Sequence, residues 1–243
     1  MSSAPEIITW AIETYGSDLA ISTSFQREGM VIVDIAAKIN PGIRVITLDT
    51  GRLPEDTYRM IELVRERYGI AIETVSPDNR ELESMIAQHG PNLFRQNVAS
   101  RMLCCQIRKV RPLERKLREF KAYMVGLRRE QSESRASVEA IDNTGAQTGA
   151  AVKISPLADW TAAEVLEYTG RNGVPEHPRY AKGYASIGCE PCTRAIRAGE
   201  AERAGRWWWE LEADKECGLH FSPDGRAERQ VDVLLREVLA AGA

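Results

Sequence analysis

Five cysteines carry the first chemical signal in this 243-residue chain. Cys104 and Cys105 stand side by side in "SRMLCCQIRKV", among Arg101, Arg108, Lys109 and Arg111. Successive side chains diverge on a helix or strand, and a disulfide between neighbours closes a strained ring, so adjacency points to something else holding both sulfurs. Cys189 and Cys192, in "IGCEPCTRAIR", have the C-x-x-C spacing with which a tight turn brings two thiolates to one metal centre. Four such thiolates suit zinc or an iron–sulfur cluster. Neighbouring cysteines crowd a single tetrahedral ion, whereas a cubane offers separate iron corners. The plainer alternative is four reduced cysteines in a core. Cys217, in "KECGLHFS", stands apart, with His220 three residues on. A reactive thiol needs exposure and a positive field; without them Cys217 is a passive surface thiol.

The elements that must position these groups alternate. Strands are expected at 18–25, 43–51, 70–77, 121–127 and 150–157, with helices after Pro5, at 28–39 and at 54–69 between them. That order implies right-handed crossovers and a mostly parallel sheet with helices on both faces, an α/β fold. A basic helix is expected over 101–120 with Pro112 as a possible break, turn chemistry and a hairpin at 141–150, and a helix at 161–173. The rest reads as a helical, arginine-rich elaboration ending in an apolar-faced helix at 230–243.

"ISTSFQREG" (21–29) falls where a strand ends and a helix begins, at the sheet edge that binds ligands. Backbone N–H groups there, with the hydroxyls of Ser22, Thr23 and Ser24, suit a phosphate or sulfate. Gly126, Arg128 and Arg135 follow the fourth strand, and Arg197, Arg203 and Arg206 precede three tryptophans. Guanidinium forks match phosphate and sulfonyl oxygens; a solvated helix face is the alternative, most of all for Arg197. Three consecutive indoles cannot all face one ligand, so Trp207 is a stacking candidate and at least one of the others is core or docking surface. His89 and His177 carry no motif.

The net charge of −3 gives no global basis for nucleic-acid binding. The N-terminal stretch lacks a signal-peptide pattern, and no apolar run reaches membrane-span length, so no membrane association is expected. Reduced or ligating thiols then fit a cytoplasmic protein.

The set "CC" with "RKVRPL", "GCEPCTR", "GRWWWE" and "ECGLH" resembles the assimilatory adenylylsulfate (APS) reductases, relatives of the phosphoadenylylsulfate (PAPS) reductases, from about 16 to 222. The resemblance implies an adenine-nucleotide α-hydrolase-like sheet. It implies reduction of APS to sulfite and AMP, with thioredoxin or glutaredoxin as electron donor. Cys104, Cys105, Cys189 and Cys192 would ligate one 4Fe-4S cluster, and Cys217 would attack sulfur, with His220 and Lys109 beside it. Ser22, Thr23, Ser24, Phe25, Leu48, Thr50, Gly126, Arg128, Arg135, Arg203, Arg206 and Trp207 would bind substrate. The loop at 21–29 departs from the "SGG-x-DS" form of ATP-splitting relatives, which argues against ATP hydrolysis. Two parts are expected: residues 1–211 for nucleotide and cluster, and 212–243 as a tail with the catalytic cysteine and terminal helix. A homo-oligomer is a further expectation from the family. The rival readings are a dual APS/PAPS or PAPS reductase, a tRNA-thiolating enzyme, and a non-catalytic iron–sulfur nucleotide sensor.

Overall fold

A computed structural model describes residues 3–145, 149–210 and 225–242. Helix α1 (Ala4–Tyr15) starts from a capping box in which Ser3 and Glu6 satisfy each other's backbone N–H groups. It leads into β1 (Leu19–Ser22), α2 (Arg27–Ile39), β2 (Arg44–Leu48), α3 (Glu55–Tyr68) and β3 (Ile72–Val75). Three parallel strands joined by two helical crossovers result. The chain then passes through α4 (Asn79–His89), α5 (Val98–Cys105) and α6 (Arg111–Leu117) to β4 (Ala122–Met124), on the other side of β1. A short hairpin, β5 (Ile141–Asp142) with β6 (Val152–Ile154), completes a sheet ordered β3-β2-β1-β4-β6-β5, and only β5 runs antiparallel. The order reverses about β1, and such a switch point opens a crevice beyond the carboxyl ends of the strands.

Strand alternation assigns the two faces of the sheet. Leu19 and Ile21 join the main core with α1, α2, α7 (Ala162–Asn172) and α3, while Ala20 turns to Ile46, Leu113 and Phe120 on the opposite face. Helix α2 is buried from Glu28 to Ala37 and is the central helix of the fold. A second cluster holds Met85 of α4, Leu103 of α5 and Val238 of the terminal helix α8 (Gly225–Ala241). The terminal helix thus packs on the chain's own α4 and α5.

Two expectations need correction. The basic helix at 101–120 is three pieces: α5, a π-helical turn at Gln106–Val110, and α6, whose first turn contains Pro112. The helix runs on from the π turn, with the Arg111 N–H donating to the Gln106 carbonyl, and Pro112 has no N–H to continue that ladder. The segment 174–210 holds no α-helix; it runs as short turns and single 3-10 turns, since Pro175, Pro178, Gly183, Gly188, Pro191, Gly199 and Gly205 interrupt any longer helical run. Helix α4 escaped the sequence reading altogether.

One buried carboxylate ties three helices together. Asp34 of α2, only 1% exposed, accepts hydrogen bonds from Tyr68 (3.0 Å), Tyr168 (2.8 Å) and Lys38 (2.6 Å). Asp34→Ala would strand two partly buried phenols, at about 1–3 kcal/mol for each group left unsatisfied. We expect a loss of about 3 kcal/mol in urea unfolding, with Asp34→Asn losing less.

Candidate active site

At the carboxyl ends of β1, β2 and β4 lies a cavity of about 310 Å³, roofed by residues from Ser186 to Trp207. Its floor is the turn from β1 into α2. Thr23 Oγ1 accepts the Phe25 N–H at 3.0 Å, and Phe25 takes a left-handed φ of 57° that a bulky side chain rarely adopts. Strain of this kind persists only where the surroundings impose it, and it collects at binding sites. Trp207, the other described non-glycine with positive φ (41°), lies in the same wall. Two glycines make the floor possible. A Cβ on Gly29 would lie 2.2 Å from Thr23 Oγ1, and one on Gly126 would lie 2.8 Å from the Gly29 nitrogen. The loops after β1 and β4 therefore meet backbone to backbone.

The lining divides by chemistry. Leu48, Leu53, Leu113, Tyr123 and Leu127 supply apolar surface that suits a planar base. Lys109, Arg135, Arg203 and Arg206 supply positive charge. Arg206 is 7% exposed, and its Nε has no hydrogen-bond partner among the described residues. A buried guanidinium with an unused donor is prepared for an anion. Arg206 and Arg101 both stand over the Trp207 ring, at 4.7 and 4.6 Å from its centroid, and Arg101 is locked by Glu210 through two 3.0 Å contacts.

The thiols form the wall beyond these cations. Cys104 and Cys105 close α5, and the π turn that follows brings Lys109 to the cavity. Such turns insert an extra residue and re-aim the side chains after them. Cys189 and Cys192 flank a single tight turn containing Pro191. All four thiols are buried and unbridged, in one apolar cluster with Phe94, Ile107 and Trp207. Thr50 Oγ1 lies 3.2 Å from Cys189 Sγ, and Arg108 donates to the Thr50 carbonyl at 2.6 Å. Burial pushes the Cys192 thiol up to about 12, the neighbouring Cys189 adds to this, and Lys109 and Arg206 oppose it. Burial likewise raises Cys104, against the pull of Arg108 and Lys109. Among the described residues no three His, Cys, Asp or Glu side chains are placed to hold one metal ion.

A strap of turns fastens this wall to the sheet. The Ile187 N–H donates to Gln26 Oε1 at 2.8 Å, the Arg27 N–H to the Tyr180 hydroxyl at 3.2 Å, and the Glu190 N–H to the Arg52 carbonyl at 2.8 Å. Arg179 pairs with Asp56 of α3 at 3.3 Å and with Glu190 at 2.5 Å. The Trp207 N–H donates to the Cys192 carbonyl at 3.2 Å, joining the cysteine turn to the arginine-rich segment.

Most residues expected at the site line this cavity: Ser22, Thr23, Ser24, Leu48, Thr50, Lys109, Gly126, Arg135, Arg203, Arg206 and Trp207. Phe25 and Arg128 do not. Phe25 is fully buried in the main core, because its left-handed backbone turns the ring inward. Arg128, 2% exposed, is committed to three carboxylates: Glu28 (2.9 Å), Glu130 (3.1 Å) and Glu202 (3.6 Å). Cys217 and His220 lie outside the described residues. Sequence reading missed the lining residues Glu28, Glu202, Tyr123 and Lys153. The alternation of β4 and β6, with Tyr123 paired opposite Lys153, was the one signal for the last two. Of the indoles, Trp207 is buried, Trp208 is exposed, and Trp209 packs on Phe94.

Comparison with known proteins places this arrangement among relatives. Residues 18–195 match the model of the phosphoadenosine phosphosulfate reductase domain. A Burkholderia cepacia protein named adenosine 5'-phosphosulfate reductase is 46% identical over 201 residues, covering 83% of this chain and 80% of the relative. One of the same name from Allochromatium vinosum is 44% identical over 208 residues, covering 84% and 80%. Among solved structures, the phosphoadenylyl-sulfate reductase of Candida auris, in a phosphate complex, superposes with a TM-score of 0.66 at 27% identity, over 80% of this chain and 91% of that one. An FMN adenylyltransferase of Candida glabrata shares the fold alone, with a TM-score of 0.54 at 13% identity, over 88% of this chain and 74% of that one.

The strap also carries a pH signature. His177 is 1% exposed; its Nδ1 accepts the Arg179 N–H at 3.3 Å, which leaves the proton on Nε2, 3.0 Å from Thr57 Oγ1. Burial lowers its pKa to about 4, with Asp56 opposing and Arg179 and Lys182 reinforcing the shift. Between about 6.5 and that value the unfolded chain binds a proton that the folded chain refuses. Stability is therefore lost as pH falls through this window. We expect His177→Gln to unfold with a shallower loss between pH 6.5 and 4, read as the difference from wild type in denaturant titrations.

Proposed function

Because the chain belongs to the phosphoadenosine phosphosulfate reductase family, as an oxidoreductase acting on sulfur, we propose that it reduces adenosine 5'-phosphosulfate to sulfite and AMP. The observation that carries this reading is the placement of four buried thiols against an arginine-lined cavity at the switch point of the sheet. The apolar wall around Leu48, Leu53 and Tyr123 takes adenine, and the Ser22–Ser24 turn takes the 5'-phosphate at the start of α2. Lys109, Arg135, Arg203 and Arg206 receive the sulfonate oxygens, where forked donors offset charge in the transition state.

The reading assigns a 4Fe-4S cluster to Cys104, Cys105, Cys189 and Cys192. Neighbouring thiolates fit separate iron corners, and Arg108, Lys109 and Arg206 supply counter-charge around sulfurs that burial otherwise keeps protonated. Bound there, the cluster supplies a fixed charge beside the sulfonate end of the cavity.

Cys217 is the nucleophile in this scheme, and His220 stands with it in the same motif. Its thiolate attacks the sulfonate sulfur; an S–S bond forms, the bond from sulfur to the bridging oxygen breaks, and AMP leaves. A thiolate of a thioredoxin or glutaredoxin then attacks the Cys217 sulfur. Sulfite departs with the bonding pair, Cys217 enters a mixed disulfide, and the partner's second thiol resolves it to release the Cys217 thiolate. The two electrons thus come from the partner's dithiol. A partner of that kind works in a reducing compartment, which fits the cytoplasm. Among the described residues no helix is long and apolar enough to cross a membrane.

The test is sulfite release from APS and from PAPS with reduced thioredoxin, on anaerobically purified protein. The expected result is turnover of APS well above PAPS. Cys217→Ser should lose at least about a thousandfold in kcat. Wild type mixed with APS without a reductant should gain the mass of one SO₃ group on the peptide containing Cys217. Sulfite release by Cys217→Ser at the wild-type rate would overturn the mechanism.

A further inference from the structure

An anion-binding cavity has little evident use for carboxylates, yet Glu28 and Glu202 both line it. Each is held by the same buried side chain. Arg128 Nε meets Glu28 Oε1 at 2.9 Å, and Arg128 Nη2 lies 3.6 Å from Glu202 Oε2. The hub is itself anchored: Arg128 Nη1 pairs with Glu130 at 3.1 Å, and Glu130 accepts the Ala162 N–H that opens α7. Glu28 is further occupied by Gln131, whose Nε2 donates to the same Oε1 at 3.0 Å. Glu202 differs. Its side chain is 39% exposed, and at 3.6 Å its contact with Arg128 is an ion pair too long for a hydrogen bond. It precedes Arg203 and stands four residues before Arg206, on the loop that carries these two cavity arginines.

Given the nucleotide reading above, on which this inference rests, we propose that Glu202, set by Arg128, is a specificity-determining residue: it faces the ribose hydroxyls and turns away a ribose bearing a second phosphate. A carboxylate accepts hydrogen bonds from a free diol. The same charge repels a phosphate monoester, which is how nucleotide sites commonly separate phosphorylated from unphosphorylated ribose. Discrimination then comes from a repulsive element built against the wrong ligand, beyond the attraction that the shared cations offer to both. The position of Glu28 strengthens the effect, since a phosphate entering this wall meets two carboxylates that share one guanidinium, itself also paired with Glu130. Arg128 is a positioning residue: it touches the carboxylates and does not line the cavity.

The experiment compares AMP with adenosine 3',5'-bisphosphate, by calorimetry on the full chain, for wild type, Glu202→Gln and Glu202→Lys. The readout is the ratio of the two dissociation constants, which cancels any loosening of the loop common to both ligands. Wild type should favour AMP. The preference should shrink by roughly tenfold in Glu202→Gln and fall again in Glu202→Lys, because like-charge contacts in a shielded interface are costly. A ratio unchanged across the three proteins, each checked for wild-type thermal unfolding, overturns the inference; so does wild type binding both ligands equally. Binding of neither nucleotide to wild type instead overturns the nucleotide reading itself.

Discussion

Four cysteine side chains lie within one apolar cluster, each less than a tenth exposed, and burial there makes the Cys104 and Cys192 thiols resist becoming thiolates. That constraint organises the rest of the site. The thiols stay neutral, or they are held as thiolates by positive charge placed near them. The chain supplies that charge from two directions: Arg108 and Lys109 on the π turn, and Arg206 at the end of the strap. Lys109 and Arg206 also face the cavity. One set of cations therefore serves both the sulfur chamber and whatever anion enters beside it, and neither compartment can be altered without the other responding.

Holding that shared wall in place requires several elements to agree. The sheet supplies the switch point, and the Gly29–Gly126 contact lets two strand-end loops meet closely enough to floor the cavity. The strap from His177 to Trp207 is tied to backbone and side chains of the β1–α2 turn, the β2–α3 loop and α3. It closes on itself where Thr193 bridges to Arg206 and Trp207 bonds Cys192. Little of this strap is regular structure, so its shape rests on particular hydrogen bonds and ion pairs. Arg128 does similar work on the opposite wall through three carboxylates.

The parallel sheet was legible in the sequence because its strands are short apolar runs bounded by turn residues and spaced by helices of crossover length. The cysteine pairs were legible because their spacing is rare and chemically pointed. Other features were not. Arg128 and Arg135 read alike in "GLRREQSESR", yet Arg135 lines the cavity and Arg128 is consumed by glutamates, a difference set by the distant Glu28 and Glu202 and by Glu130 beside it. The π turn is invisible to a pattern of period 3.6, because a single added residue shifts the register without changing composition. Phe25 sits in a loop that chemistry marks as a binding turn, but its backbone sends the ring to the core. The segment after Asn172 misled because its alanines and arginines favour helix while its prolines and glycines forbid one.

The central claim is that the buried thiols share a multi-iron group, with the cavity cations tuned to it. The direct measurement is iron and acid-labile sulfide per chain, with the visible and Mössbauer spectra, on anaerobically purified wild type and Cys105→Ser. The account predicts about four irons and about four sulfides per wild-type chain, with the Mössbauer signature of thiolate-bound cubane iron and marked loss in the variant. Colourless wild-type protein containing one zinc per chain, or wild-type protein that holds no metal and no acid-labile sulfide, would contradict it.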